Sequence, residues 1–285
     1  MRRTAVVTDS ASSLPAELVK RYHIFVVPVL VYLDGHEYHD GVDITPSDVY
    51  SYLRMSNNGA RPKTSTPSIG DFVRIYAQAA REAEEIVSIH LSANLSGVYQ
   101  TAYAAHDLVD ARVHVLDCRT AAMGCGFAAL EAARLAEAGA DASAVLARAR
   151  EVAQRTRVYA SLATLHYLHR GGHVPAIASI AGSALKLCPI LSIDRGQARL
   201  VELPRTRQRA VARLLDIMTA DVGDRPVHVA VMHAGVPEEA EALRAEVAVR
   251  FSCLELLVTE FTPVMGAHTG PGVIGLAWWT ETGPL

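Results

Sequence analysis

The chain has 285 residues, of which 50% are hydrophobic, so it contains enough apolar material for two cores or for one large core with a cavity. Its net charge of -3 and its pI of about 6.5 argue against binding to nucleic acid or to an anionic membrane surface. The longest apolar run, Ile24 to Leu33, contains Pro28 and is far shorter than the roughly 20 residues of a spanning helix, so no integral membrane segment is expected.

The amino terminus and the cysteines bear on the compartment. Ala5, Val6 and Val7 are the only apolar residues between two arginines and the polar stretch TDSASS, so the apolar region of a secretory signal is missing and a cytoplasmic location is predicted. The cysteines form no Cys-x-x-Cys pair. They are predicted to be buried or unreactive thiols: Cys118, Cys125, Cys188 and Cys253.

Predicted strands and helices alternate in the first part of the chain. Residues 4–8 should form a buried strand, and Ser13 should cap a helix that has Pro15 near its first turn. Further strands are predicted at 24–32, 85–91, 113–117 and 158–163, and helices near 46–55, 69–82, 98–109, 122–138 and 142–156. This alternation predicts a mainly parallel, doubly wound sheet.

A second series of elements follows the alanine-rich helices. It comprises a helix after Pro175, strands near 188–193 and 198–202, a helix at 206–221, a strand at 227–233, a helix at 236–249, and strands at 253–260 and 273–280. The pattern therefore predicts two α/β domains, residues 1–157 and residues 158–285. Interfaces between domains are favoured places for a ligand.

The loop RPKTSTPSIGDF contains a dense set of hydroxyl groups. Pro67 disfavours helical geometry at Thr66, so the segment should be extended, and Ser68 should cap the helix that follows. A capped helix start explains Ser68, but it leaves Thr64, Ser65 and Thr66 unexplained. A functional loop and a simple helix start both remain possible here.

The segment LSANLSGVYQTA lies where a predicted strand ends and a helix begins near Gly97. Ligands gather at the carboxyl ends of strands in open α/β sheets, and a helix start attracts anions. Ser96 fits either role, as an anion donor or as an ordinary helix cap.

Two further segments carry histidines. MGAHTGPGVIGL is predicted to be a glycine-rich loop in which His268 and Thr269 are candidates for an anion donor or a general base. In HYLHRGGHV, the spacing of His166, His169 and His173 does not favour a metal site, because Gly171 should end the helix before His173. Arg170 is left at that turn.

Nucleotide and hydrolase motifs are missing. GCGFAA at 124–129 matches a dinucleotide fingerprint by letters, but it is predicted to lie within a helix, where the small residues serve packing. No Gly-x-Ser-x-Gly elbow and no P-loop occur in the sequence.

Taken together and in order, VVTDSASSLP, KTSTPSIGDF, HLSANLSGVYQTA, LHRGGHV and GAHTGPGVIGL resemble the DegV family of bacterial fatty-acid-binding proteins. The resemblance spans nearly the whole chain. It implies two α/β domains with an acyl chain buried between them, and a non-catalytic carrier without a cofactor or metal. It also implies that a separate ATP-dependent fatty-acid kinase phosphorylates the bound fatty acid.

The resemblance also implies roles for single residues. The carboxylate-binding hydroxyls fall on Thr64 and Ser96, with His268 near the same headgroup and with Ser65 and Thr269 beside them. Arg170 and His173 are implied to face the kinase. Three positions depart from the expected family pattern, namely Thr66 for a Gln, Ala93 for a second Ser, and His173 for an Arg. The last replaces a fixed charge with one that depends on pH.

Two alternatives remain open. An acyl hydrolase would use Ser96 as the nucleophile, His268 as the base and a carboxylate such as Asp9 to orient the base. A regulatory protein that binds another small amphiphile would use the same pair of hydroxyls.

Overall fold

The computed structural model describes residues 1–55, 61–171 and 187–282, without the side chains of residues 169–171. The strands of the first part are β1 (Arg2–Asp9), β2 (Phe25–Val27), β3 (Leu30–Leu33), β4 (His36–His39), β5 (Lys63–Ser65), β6 (Ala83–His90) and β7 (Arg112–Asp117). The helices of this part are α1 (Ala16–Arg21), α2 (Pro46–Met55), α3 (Ile69–Ala80), α4 (Val98–Ala105), α5 (Met123–Glu137) and α6 (Ala142–Arg155).

The second part adds six strands and four helices within the described ranges. The strands are β8 (Arg157–Ser161), β9 (Ile190–Asp194), β10 (Gln197–Glu202), β11 (Val227–His233), β12 (Cys253–Glu260) and β13 (Ile274–Trp279). The helices are α7 (His166–Gly171), α8 (Arg207–Val222), α9 (Pro237–Arg250) and α10 (Pro263–Thr269). None of the helices in these ranges is long and apolar enough to cross a membrane.

The first sheet is parallel, with strand order β2-β1-β6-β7. Helices cover both of its faces, and the strands are apolar on both sides for that reason. On β1, Val7 packs into the core with α3 and α4, whereas Val6 packs into the core with α5 and α6. The predicted doubly wound α/β sheet is therefore confirmed.

The second sheet is mixed, with strand order β10-β9-β8-β13-β11-β12. Only the β11 and β12 pair is parallel among its neighbours, and the other pairs are antiparallel. A small antiparallel sheet, β4-β3-β5, lies apart from both. All the strands of the six-stranded sheet follow residue 156, but the predicted boundary at residue 157 stays a prediction.

Ion pairs join helices of the first part to strand β12 and to the segment after β13. Arg134 on α5 bonds Glu131 and Glu255, and Arg148 on α6 bonds Glu131 and Glu281. Except for the exposed Glu281, these side chains are only partly exposed, so solvent screens their charges less than at an open surface. The pairs help to fix the two sheets relative to each other, and with them the space between.

Three local predictions are wrong. The predicted strand at 24–32 divides at Pro28, so that β2 joins the parallel sheet and β3 joins the small one. Ser13 does not cap a helix, because it adopts a left-handed conformation with φ of 53° and ends a 3-10 turn. The predicted loop around His268 is instead the short helix α10.

Candidate functional site

A cavity of about 430 Å³ lies between the parallel sheet and the six-stranded sheet. Its walls come from the carboxyl ends of β1 and β6, the loop before α5, strands β8, β9 and β10, and helix α10. Eighteen of the 26 described lining residues are apolar, and His268 is the one titratable side chain among those 26. This volume and composition are typical of a pocket for a small, mostly apolar ligand.

The polar lining residues come mainly from three segments that are distant in sequence. Thr64 lies on β5, Ser96 lies just before α4, and His268 lies in the last turn of α10. The Thr64 Oγ1 atom is 2.9 Å from His268 Nε2, so the two side chains share a hydrogen bond. The structure therefore places all three predicted headgroup residues in the cavity lining and joins two of them, Thr64 and His268, by a hydrogen bond.

The hydroxyl of Ser96 does not form a strong capping hydrogen bond with helix α4. The residue at the N-cap of α4 is Gly97, which makes no side-chain cap, and Ser96 Oγ lies 3.4 Å from the backbone nitrogen of Val98. A contact of that length is weak. The loop is also close to the KTSTPS segment, since a Cβ atom added to Gly97 would lie 3.2 Å from Thr66 Cγ2.

Sequence comparison with known protein families decides the relationship of this chain. Residues 3–281 match the family model described as "Uncharacterised protein, DegV family". The chain belongs to the DegV family. A DegV domain-containing protein of Streptomyces coelicolor is 38% identical over 278 residues, which cover 96% of this chain and 98% of that protein.

Two solved DegV structures are similar to this one throughout. A DegV family protein from Thermus thermophilus, described by its fatty acid binding, has 35% identity and a TM-score of 0.90, and covers 98% of this chain and 100% of its own. DegV from Bacillus subtilis, described as a fatty acid binding protein, has 30% identity and a TM-score of 0.89, and covers 99% of this chain and 100% of its own.

The other predicted headgroup residues of this DegV chain also line the cavity, but with different hydrogen bonds. Ser65 lies beside Thr64 on β5 and is exposed. Thr269 Oγ1 donates to the carbonyl oxygen of Met265 at 2.9 Å. The hydroxyl proton of Thr269 is therefore committed to its own helix, so this residue is a weaker donor candidate than Thr64.

The predicted partner-facing residues cannot be placed at the site. His173 and the side chain of Arg170 lie outside the described residues. The same holds for the predicted helix after Pro175. Among the described residues, no group of three His, Cys, Asp or Glu side chains could hold a metal ion.

Asp9, the orienting carboxylate of the hydrolase alternative, is engaged elsewhere. Its Oδ2 accepts from His90 Nδ1 at 2.9 Å and from the backbone nitrogen of Leu91 at 3.2 Å, and its Oδ1 accepts from the backbone nitrogen of Ala11. Asp9 and His90 are both fully buried. Asp9 is therefore engaged by His90 and by backbone nitrogens, and it is not the group that orients His268.

The buried Asp9 and His90 pair continues into a chain of hydroxyl groups. Ser88 Oγ is 2.6 Å from His90 Nε2, and Tyr76 donates to Ser88 at 2.9 Å. Burial raises the pKa of Tyr76 although the Ser88 bond opposes the change, so the phenol stays a donor. This network fixes the end of β6, where the loop that carries Ser96 begins.

The sequence did not predict the contact between the loop after β6, which carries Ser92 and Ser96, and the six-stranded sheet. Ser92 Oγ donates to the carbonyl oxygen of Gly196 at 2.9 Å, in the turn between β9 and β10. Gly196 has φ of +82°, and an added Cβ would lie 2.4 Å from Ser92 Oγ. Asp-Arg-Gly between two strands is typical of a turn, but nothing in these residues indicates that Ser92 is the partner.

Proposed function

We propose that this chain binds a long-chain fatty acid, with the carboxylate at Thr64, Ser96 and His268 and with the acyl tail between the two sheets. The observation that carries the proposal is a cavity with apolar walls and one cluster of hydrogen-bonding groups. The descriptions of the Thermus thermophilus and Bacillus subtilis proteins as binding fatty acids support it.

The apolar walls account for the greater part of the proposed affinity. Burying a methylene group contributes about 0.8 kcal/mol, so a sixteen-carbon tail would contribute on the order of 12 kcal/mol before the costs of association. The cavity offers this tail the side chains of Leu162, Leu191 and Phe261, among others. The tail should therefore determine how tightly the ligand is held.

The polar cluster is suited to orienting a carboxylate. A buried carboxylate must be hydrogen-bonded, and each bond to the charged group contributes about 1.5–3 kcal/mol. Thr64 and Ser96 can donate hydroxyl protons, and His268 can donate from a ring nitrogen that now faces Thr64. These donors would fix which end of the ligand faces outward.

We further propose that the chain acts in the cytoplasm as a carrier that presents the fatty acid to a separate ATP-dependent kinase. The absence of a P-loop from the sequence supports a division of labour in which the kinase binds ATP. Arg170 and His173 are the proposed kinase-facing residues. On this proposal the chain itself is not an enzyme.

The ligand class is tested by organic extraction of the purified protein followed by mass spectrometry. One fatty acid per chain is expected. Protein that contains no lipid and takes up no added fatty acid would refute the proposal, and a different bound amphiphile would assign the regulatory alternative instead.

The kinase step is tested with the double variant Thr64→Ala and Ser96→Ala. Because the tail supplies most of the affinity, the variant should lose more kinase-dependent phosphorylation than lipid retention. Equal loss in paired assays would contradict this division between headgroup and tail. Labelling of Ser96 by a fluorophosphonate, with turnover of an acyl ester, would favour the hydrolase.

A further inference from the structure

Helix α10 presents His268 to the headgroup cluster, yet it is only seven residues long. A helix of that length is not stable on its own in water. Its position must therefore come from contacts with the rest of the chain. One such contact is the close approach of Tyr50 on α2, whose Cε1 would lie 2.7 Å from a Cβ atom added to Gly266.

The first turn of α10 is capped by a residue from another part of the chain. Thr262 occupies the N-cap position but makes no side-chain cap bond, and its Oγ1 donates instead to the carbonyl oxygen of Ser10 at 3.3 Å. The free backbone nitrogen of Val264 donates to Asp40 Oδ1 at 3.0 Å. Asp40 therefore does the work of the cap, and it is 2% exposed.

The surroundings of Asp40 disfavour its negative charge. Burial raises the pKa of Asp40 to about 6, although the hydroxyls of Ser10 and Thr262 and the Val264 nitrogen lower it. Its Oδ2 atom accepts no hydrogen bond from the described residues. The bond from the Val264 nitrogen is the one that ties this carboxylate to the backbone of α10, while the nearby hydroxyls of Ser10 and Thr262 also favour the ionised form.

The charged and titratable groups around Asp40 do not offset the free-energy cost of burying its negative charge. Asp9 on β1 carries a like charge that raises the pKa of Asp40 further. Tyr50 on α2 stays neutral, since burial and the charges of Glu260 and Asp40 raise its pKa. His39, the neighbour in sequence, is paired with another aspartate.

We propose that Asp40 is a positioning residue for the headgroup site. Its ionised carboxylate holds the first turn of α10. Protonation of Asp40 releases this turn and thereby weakens the hydrogen bond from His268 to the ligand. This inference rests on the proposed binding of a fatty acid. A neutral carboxyl group accepts a weaker hydrogen bond than a carboxylate, so Val264 loses its charge-assisted partner. By linkage, a ligand that fixes α10 must favour the ionised form of Asp40.

If protonation of Asp40 releases the ligand in acid, it does not do so by unfolding the protein. The pKa of Asp40 is higher in the folded chain than in the unfolded one, so its ionisation opposes folding as pH rises through about 6. Protonation of Asp40 below that pH therefore stabilises the fold. The headgroup contacts weaken while the cavity remains intact.

The test compares wild type with Asp40→Asn, because asparagine offers Val264 only a neutral acceptor, as the protonated acid does, and cannot ionise. Dissociation constants for palmitate and for hexadecanol are measured between pH 7.5 and 5. At pH 7.5 the variant should bind palmitate about tenfold more weakly than wild type, because its neutral amide lacks the charge that strengthens the hydrogen bond from Val264. On acidification to pH 5 wild type should lose about fivefold more palmitate affinity than the variant, which is the part of the tenfold factor for a one-unit difference in pKa between free and bound protein that is reached at that pH. Hexadecanol should show a smaller difference, because a neutral hydroxyl makes weaker hydrogen bonds to the headgroup donors.

Ionisation of palmitate and of His268 is common to both proteins and cancels in the comparison. Asp43→Asn serves as the control, because Asp43 is an exposed carboxylate close in sequence, and it should follow wild type. If Asp40→Asn does not fold, the carboxyl carbon of Asp40 is titrated by NMR in wild type, and palmitate should lower its midpoint. An unchanged midpoint, or superimposable pH profiles, would overturn the role of Asp40 alone. No palmitate binding at pH 7.5 would overturn the proposed function and this role with it.

Discussion

Replacing Thr64 by valine should separate headgroup recognition from tail burial. Valine preserves the branched shape of threonine and removes only the hydroxyl group. In the structure that hydroxyl lies 2.9 Å from His268 Nε2 on the wall of the cavity, and the side chain is only partly exposed. The change therefore removes one donor from the proposed carboxylate site without altering the apolar walls.

The size of the effect depends on the charge of the ligand headgroup. A hydrogen bond to a carboxylate contributes about 1.5–3 kcal/mol, which corresponds to roughly 10- to 150-fold in affinity. A bond to a neutral hydroxyl contributes about 0.5–1.5 kcal/mol, or roughly 2- to 12-fold. Palmitate should therefore lose about tenfold more affinity than hexadecanol on Thr64→Val.

The assay is displacement of a fluorescent fatty acid by each of the two ligands, at one pH and one salt concentration. Thr156→Val is the matched control. The Thr156 hydroxyl is buried and donates to the carbonyl oxygen of Val152 at 2.7 Å, and Thr156 does not line the cavity. Equal losses for palmitate and hexadecanol would refute the placement of the carboxylate at Thr64. A loss in the control variant would show that the measurement reports stability.

Three further outcomes follow from the contacts. Thr269→Val should change palmitate affinity less than threefold in the same displacement assay, since the proton of this hydroxyl is already donated within α10. Gly124→Ala should destabilise the fold by about 1–3 kcal/mol in urea unfolding, because the new Cβ would lie 2.2 Å from Thr120 Oγ1. Glu255→Gln should lower the free energy of unfolding by on the order of 2 kcal/mol at pH 7, a value between those for exposed and buried ion pairs. Although burial raises the pKa of Glu255, its bonds to His228 and Arg134 lower the pKa overall. In thermal unfolding, the difference in stability between wild type and the variant should therefore shrink as pH falls below about 4.5.

Elements with a strong local pattern were predictable from the sequence. The strands at 227–233 and 253–260 have the predicted bounds, and Ser68 caps α3 with Asp71 in a capping box as its sequence indicates. GCGFAA lies within α5, where an added Cβ at Gly124 or Gly126 would overlap its neighbours. In these cases the information lies within a few residues of the element itself.

Prediction failed where distant residues decide the local structure. Val26 and Val31 belong to one apolar run, but Pro28 lets the chain pass from the parallel sheet to the small sheet, where β5 supplies the partner strand. Helix α10 is short and glycine-containing, and it forms because Asp40 caps it and Tyr50 packs against it. Neither contact leaves a signal near the helix.

The candidate site shows the same limit. From its own segment, Ser96 could equally have been a helix cap, and the bond between Thr64 and His268 joins residues 204 positions apart. The resemblance to the family supplied this grouping before the fold was known. The bonds that hold the grouping in place, from Asp9, Ser92 and Asp40, had no counterpart in local sequence reasoning.

The arrangement of donors also explains how tight binding and access to the headgroup can coexist in the proposed carrier. A lysine or arginine at the headgroup would hold the carboxylate by charge as well as by hydrogen bonds. The described lining offers only hydroxyl groups and one histidine, so the carboxylate is oriented without a fixed ion pair. Much of the apolar lining, such as Leu162, Leu191 and Phe261, lies outside the three headgroup segments, so in the proposed carrier it would supply affinity largely independently of them. Weakening the headgroup, by a partner or by a proton, would therefore free the carboxylate for reaction while the tail stays bound.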